Sequence, residues 1–136
     1  MLKEFKVQTK GHTDIIDITS KVAEAVRIAD AKEGMAFVFI AHSTAAITTI
    51  EYEPGVVNDL KRILEKIAPR EADYEHHQRW GDYNGAAHVK SAILGVDLFV
   101  PIVGGELVLG TWQQIVLIDF DEYPRQRRVL VKVIKS

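Results

Sequence analysis

Asp97-Leu98-Phe99-Val100-Pro101-Ile102-Val103-Gly104-Gly105-Glu106-Leu107-Val108-Leu109 decides the fold. Two apolar runs flank a Gly-Gly pair. That pattern predicts a hairpin, because paired glycines supply the positive φ angles a tight turn needs. Trp112 to Phe120 and Arg128 to Ile134 read as two further strands, so the last third of the chain is antiparallel sheet. Working back, Lys3 to Thr9 alternates apolar and polar residues and predicts a strand. Asp14 to Ile18 predicts a second. Met35 to Ala41 is a short apolar run, read as a buried strand, and Ala45 to Tyr52 reads as another. Helices fall between them. Val22, Ala25, Val26 and Ala29 have helical spacing, with Thr19 or Ser20 as the expected cap and Gly34 as the expected stop. Pro54 opens a second helix, whose stripe is Val56, Val57, Leu60, Ile63, Leu64 and Ile67, and Pro69 ends it. A third runs from Asn84 or Gly85 to Leu94. Residues 70 to 83 have no clean period and are expected to be irregular. Strands and helices mix without regular βαβ alternation, which makes the class α+β, with about three helices in a single domain over residues 1–136.

Composition excludes several functions. The chain has 136 residues, 47% hydrophobic and 26% charged, enough to bury a core. Seventeen basic residues against nineteen acidic leave no basic face for nucleic acid. No apolar run approaches the roughly 18–20 residues of a membrane span. Zero cysteines exclude disulfides and thiolate chemistry, and favour a cytoplasmic address. Neither a phosphate loop of the GxxxxGK[ST] kind nor a Gly-x-Ser-x-Gly elbow is present.

Histidine is the residue type left to carry chemistry. His12 sits in a turn and reads as surface. His42 ends an apolar strand, where it is either a site residue or a strand-end histidine bonded to a nearby carbonyl. His76, His77 and His88 lie within a dozen residues of one another. Three imidazoles with an open position make a catalytic zinc arrangement, though this spacing matches no compact zinc motif. Glu51, Glu53, Asp59 and Asp82 cluster near helix starts, where the helix dipole alone would favour them. Glu51 stands out because it interrupts a strand pattern. Arg125, Arg127 and Arg128 suit phosphate oxygens, or form a solvated strand entry. Trp112 reads as a core or wall residue.

His42-Ser43-Thr44-Ala45-Ala46-Ile47-Thr48, Glu53-Pro54-Gly55 with Asp59, Tyr74-Glu75-His76, Asn84-Gly85-Ala86-Ala87-His88-Val89-Lys90-Ser91-Ala92-Ile93-Leu94-Gly95 and Leu109-Gly110-Thr111-Trp112-Gln113 follow one another along nearly the whole chain. This succession resembles the YjbQ-like family, also called the secondary thiamine-phosphate synthase family. The resemblance implies a curved, barrel-like, largely antiparallel sheet and a homotrimer. It implies weak thiamine-phosphate synthase activity, joining a pyrimidine pyrophosphate to a thiazole phosphate with release of pyrophosphate. It also implies catalytic positions at His42, Glu51, Asp59 and His88 and substrate contacts at Thr111 and Gln113; Arg128 is a further candidate substrate contact through its guanidinium, and Lys90, one turn from His88, faces either the pocket, as another such contact, or water. His42, His76 and His88 are the implied ligands of a divalent metal, zinc or magnesium, with a small phosphorylated molecule as partner. Ile50-Glu51-Tyr52 departs from the family's Asn-Glu-Asn, His77 rivals His76 by one residue, and Asp119 sits near a position where relatives carry Glu. The alternative is a non-catalytic trimer that binds a metal or a small phosphorylated ligand.

Overall fold

Gly104 and Gly105 take φ angles of 61° and 82°. Two successive left-handed residues are the geometry of a type I′ hairpin turn. They join β5 (Asp97–Val103) to β6 (Glu106–Leu107), with Ile102 opposite Leu107 and Val103 opposite Glu106. The computed structural model describes residues 1–81 and 83–136, the side chains of 79 and 80 excepted.

The remaining strands are β1 (Leu2–Gln8), β2 (Asp14–Asp17), β3 (Glu33–Ile40), β4 (Ala45–Ile50), β7 (Gln114–Asp119) and β8 (Gln126–Lys135). They form two antiparallel sheets, one in the order β1-β8-β3-β5-β6 and one in the order β2-β7-β4. Together they curl into a half-barrel. The α4–β5 junction bridges them: Ile40 N–H donates to Val96 O at 2.9 Å, and Ile47 N–H donates to Gly95 O at 3.2 Å.

Period-two alternation explains the inside of the curl. Ala36, Val38 and Ile40 from β3 and Val129, Val131 and Val133 from β8 are buried. They pack with Ala45, Ile47, Ile115 and Leu117 of the smaller sheet and with Val22 and Val26 of α1 (Thr19–Ile28). The smaller sheet has a second covered face. Ile15, Ala46, Val116 and Ile118 pack under α2 (Pro54–Ile67) and α4 (Gly85–Leu94), through Leu60, Leu64, Ala87 and Leu94. A strand buried on both faces loses its alternation, which is why Ile115-Val116-Leu117-Ile118 is apolar throughout. Leu64 is the one residue of α2 that is fully buried.

Four sequence expectations change. Ile18, not Thr19 or Ser20, holds the N-cap position of α1, with no side-chain cap; Asp17 just before it accepts from Thr19 N–H at 2.9 Å, and the Thr19 hydroxyl accepts from Ile115 N–H at 2.8 Å. Gly34 lies within β3, paired with Ile102 and Lys135, and not at the helix end; it must be glycine because a Cβ there would clash with Ile134 O. The segment expected to be irregular holds a fourth helix, α3 (Glu75–Trp80), closed by Gly81 at φ 72°. A left-handed glycine just past the last turn is a standard helix stop. Trp112 is 73% exposed, in a turn where Gln113 N–H donates back to Gly110 O, so it is neither core nor strand. Asp82 lies outside the described residues.

Candidate functional site

The strand register places His42. Ile40 pairs with Val129, so the turn that follows β3 runs past Arg127 and Arg128 at the start of β8. His42 Nε2 accepts the backbone N–H of Arg128 at 3.2 Å. Burial lowers the pKa of His42, and the positive charge of Arg127 lowers it further. Asp119 opposes the shift, and Arg128 and Arg125 add to it. The ring is therefore uncharged near neutral pH.

The opposite wall is α4. Gly85, Ala86, Ala87 and Ser91 form its buried face, and their small size lets the helix lie directly on β4. The Ser91 hydroxyl donates to Ala45 O at 2.6 Å and fixes that contact. His88 and Ala92 then face His42 and Ser43 across an open cleft of about 670 Å³, with Phe39 and Val96 as its apolar surface.

Behind His88 stands His76, the two ring centroids 4.7 Å apart. His76 Nδ1 is buried without a hydrogen-bond partner. His77 points elsewhere: its Nε2 accepts Gly85 N–H at 3.1 Å, and its ring lies edge-on to Tyr74 and tilted against Tyr83. Gly85 leaves no room for a side chain, since a Cβ would lie 2.7 Å from that of Tyr74. Between the two adjacent histidines, then, His76 neighbours His88 and His77 secures the start of α4. Among the described residues, no group of three His, Asp or Glu side chains is placed to hold a metal ion. The described residues do not bring His42, His76 and His88 together as a three-imidazole centre.

A buried ionic cluster lies beneath the turn. Asp119 and Arg127 are 0% and 3% exposed. They form a fork, Arg127 Nε to Asp119 Oδ2 at 2.8 Å and Nη2 to Oδ1 at 2.7 Å, and so tie β7 of one sheet to β8 of the other. The hydroxyl of Thr9 and the N–H of Asp121 also donate to Asp119. Burial alone would raise the pKa of Asp119. These donors outweigh it and leave the carboxyl below its usual range. Asp121 joins three elements: Thr44 donates to it at 3.1 Å, Arg125 at 3.1 Å, and Asn84, which precedes α4, at 3.2 Å. Burial again pushes its pKa up, and hydrogen bonds led by Glu122 N–H bring it down overall. Sequence reasoning missed this cluster. Its visible signal was an acid, Asp119, closing an otherwise apolar run.

The other sequence-predicted residues lie elsewhere. Glu51 is exposed at the end of β4. Glu53 caps α2, accepting from Gly55 N–H and Val56 N–H. Asp59 is exposed on α2 and pairs with Arg62 at 2.9 Å. Lys90 is only 4% exposed, and its ammonium meets Glu65 of α2 at 3.4 Å, away from the cleft. Thr111 is exposed. Gln113 donates to the Thr49 hydroxyl and borders a different cavity of about 360 Å³ with Asp97, Phe99 and Leu109. Arg128 offers its backbone to His42, while its guanidinium pairs with Glu4 at 3.2 Å. His12 is a surface residue as expected, in contact with Arg70.

A family model described as UPF0047 protein YjbQ-like matches residues 3–136. The chain belongs to the YjbQ-like UPF0047 family. A UPF0047 protein of Archaeoglobus fulgidus is 37% identical to this YjbQ-like chain over 131 residues, 96% of this chain and 99% of the relative. The UPF0047 protein YugU of Bacillus subtilis is 34% identical over 135 residues, covering 98% and 99%. The fold is similar to the crystal structure of a hypothetical protein from Aeropyrum pernix, with TM-score 0.93, 30% identity and coverage of 100% and 99%. It is similar also to a conserved YjbQ/UPF0047 protein of Clostridium acetobutylicum, with TM-score 0.89, 39% identity and coverage of 97% and 99%. No helix among the described residues is long and apolar enough to cross a membrane.

Proposed function

We propose that the cleft between the β3–β4 turn and α4 binds a small phosphorylated organic molecule. The proposed reaction there is a weak transfer of the thiamine-phosphate synthase kind. The observation that carries this reading is the pairing of two imidazoles, His42 and His88, with an apolar wall of Phe39 and Val96 in one open cleft. Such a lining suits a ligand with a polar head and a flat apolar body. The positive potential of Arg127, Arg128 and Arg125 at His42 favours an anionic head. In the transfer, the thiazole nitrogen forms a C–N bond to the pyrimidine methylene as the C–O bond to pyrophosphate breaks. A divalent ion of the magnesium kind, bound with the phosphate oxygens, would supply charge neutralisation for the leaving group. A cytoplasmic address belongs to this reading and is supported by the absence of cysteine.

Homotrimer assembly is part of the same proposal. The outward face of the larger sheet supports it: the Phe37 and Phe99 rings lie 4.7 Å apart, and Phe99 is 58% exposed near Met35 and Ile134. Apolar area of this kind on one face suits a subunit contact. Glu51, Asp59, Thr111 and Gln113 lie outside the cleft of their own chain, so any catalytic or substrate role for them would be exercised across such a contact.

The experiment measures thiamine phosphate formed from the two phosphorylated substrates by tag-free protein with magnesium. His88→Ala is expected to lower the rate at least tenfold, about 1.4 kcal/mol of lost transition-state binding. No thiamine phosphate formed above the rate without protein, with tight binding of either substrate retained, favours the non-catalytic binding protein instead.

A further inference from the structure

We infer that His42 is a fixed, uncharged hydrogen-bond donor, acting through Nδ1–H on an anionic oxygen of the ligand, and that it is not a metal ligand. The inference deepens the proposed function and rests on the cleft being the site of a phosphorylated molecule. A neutral imidazole has one N–H and one lone pair. In His42 the lone pair is already committed, because Nε2 accepts the Arg128 N–H at 3.2 Å. That backbone group belongs to β8, whose position is set by its pairing with β1 and β3. The ring proton therefore resides on Nδ1, which has no partner among the described residues. His42 lines the cleft beside Ser43, whose hydroxyl is a second donor.

Coordination of a metal needs a bare ring nitrogen. In His42 the bare one faces Arg128, and binding an ion there would leave a backbone N–H unsatisfied. Among the described residues His76 and His88 stand close together, but no third ligand completes a cluster with them. A donor that stays neutral adds no charge of its own. The anion preference comes from the neighbouring arginines, whose positive potential at His42 exceeds the opposing effect of Asp119.

Long-range ¹H–¹⁵N spectra of the labelled protein, in phosphate-free buffer near neutral pH, test the assignment. The expected His42 pattern is protonated Nδ1 and bare Nε2. Inorganic phosphate should shift the Nδ1 resonance, and zinc should leave both nitrogens unmoved. A protonated Nε2, or a zinc-induced shift at Nε2, overturns the proposal.

Substitutions give a second readout. The amide nitrogen of asparagine replaces Nδ1, whereas that of glutamine replaces Nε2. His42→Asn should keep phosphate affinity within about threefold. His42→Gln and His42→Ala should lose tenfold or more, as expected for one lost hydrogen bond to a charged group. An Asn variant as weak as Ala refutes the donor role. Phosphate that moves His88 but not His42 also refutes it, with the cleft still a phosphate site. Phosphate that moves neither imidazole refutes the phosphorylated-ligand reading, and the donor role falls with it.

Discussion

Replacing Arg127 with Leu removes the guanidinium from a place it shares with a fully buried carboxylate. Three strong contacts go at once: Nε and Nη2 to Asp119 at 2.8 and 2.7 Å, and Nη2 to the Thr44 hydroxyl at 2.7 Å. Asp119 keeps the Thr9 hydroxyl and the Asp121 N–H. Neither carries charge, so the carboxylate stays buried without a counter-charge. Breaking a buried pair on one side costs about 3–5 kcal/mol, a large share of the roughly 5–15 kcal/mol that holds a domain together. Urea unfolding followed by circular dichroism, at one fixed protein concentration, measures the loss. The double variant Arg127→Leu with Asp119→Leu should recover part of it, because it removes the stranded charge but leaves the buried Asp121 N–H without its acceptor. The pH dependence has a definite sign. The folded pKa of Asp119 is depressed, so its stabilising effect is present above the unfolded value of about 3.9 and is lost as pH falls through the folded one. Wild type should weaken more steeply than Asp119→Asn in that acid range. A single-variant loss under about 1 kcal/mol, or a double variant no better than the single, would refute the reasoning.

Gly34→Ala should cost several kcal/mol or prevent folding, since its Cβ would meet Ile134 O at 2.0 Å; thermal melts check this, and a melting point unchanged within 2 °C contradicts the close approach. His42 should titrate below 6.5 in NMR. Its contribution to stability is then complete above 6.5 and declines as pH falls through the folded value, a decline that His42→Ala should abolish. Glu65→Ala, which leaves the buried Lys90 ammonium alone, should destabilise by about 1–3 kcal/mol, whereas Lys90→Met should cost under about 1 kcal/mol; the opposite order in chemical denaturation would show that Lys90 is not held by that pair. The proposed trimer predicts that Phe99→Glu reduces the mass seen by light scattering from three chains to one, and an unchanged mass would exclude the larger sheet's outer face as the contact.

Local chemistry made most of the fold readable. Gly104-Gly105 fixes a hairpin because few other residues accept those angles, and Pro54 opens a helix because its ring presets φ. The Val22, Ala25, Val26 stripe is buried as its period required. What failed depended on partners distant in sequence. Gly34 looks like a helix stop until Ile134, a hundred residues on, occupies the space of a side chain. Thr19 looks like a cap, but its hydroxyl is claimed by Ile115 of another strand. In the candidate site, the sequence singled out His42 and His88, which meet in one cleft. It did not separate His76 from His77, whose difference is the direction each ring takes from a short helix. Nor did it show that Lys90 faces inward to Glu65, or that Arg127 and Asp119 form a pair, since seven residues of turn and strand separate them and only the curl of the sheets brings them together.

The attachment of α2 gives different parts of the chain different lifetimes. A helix of fourteen residues that fully buries Leu64 alone is near the length at which an isolated helix barely persists in water. Opening it exposes little of the core between the two sheets. In hydrogen exchange, α2 should therefore form its own early-opening unit, with amides that exchange while those of β3, β7 and β8 stay protected until the whole chain unfolds.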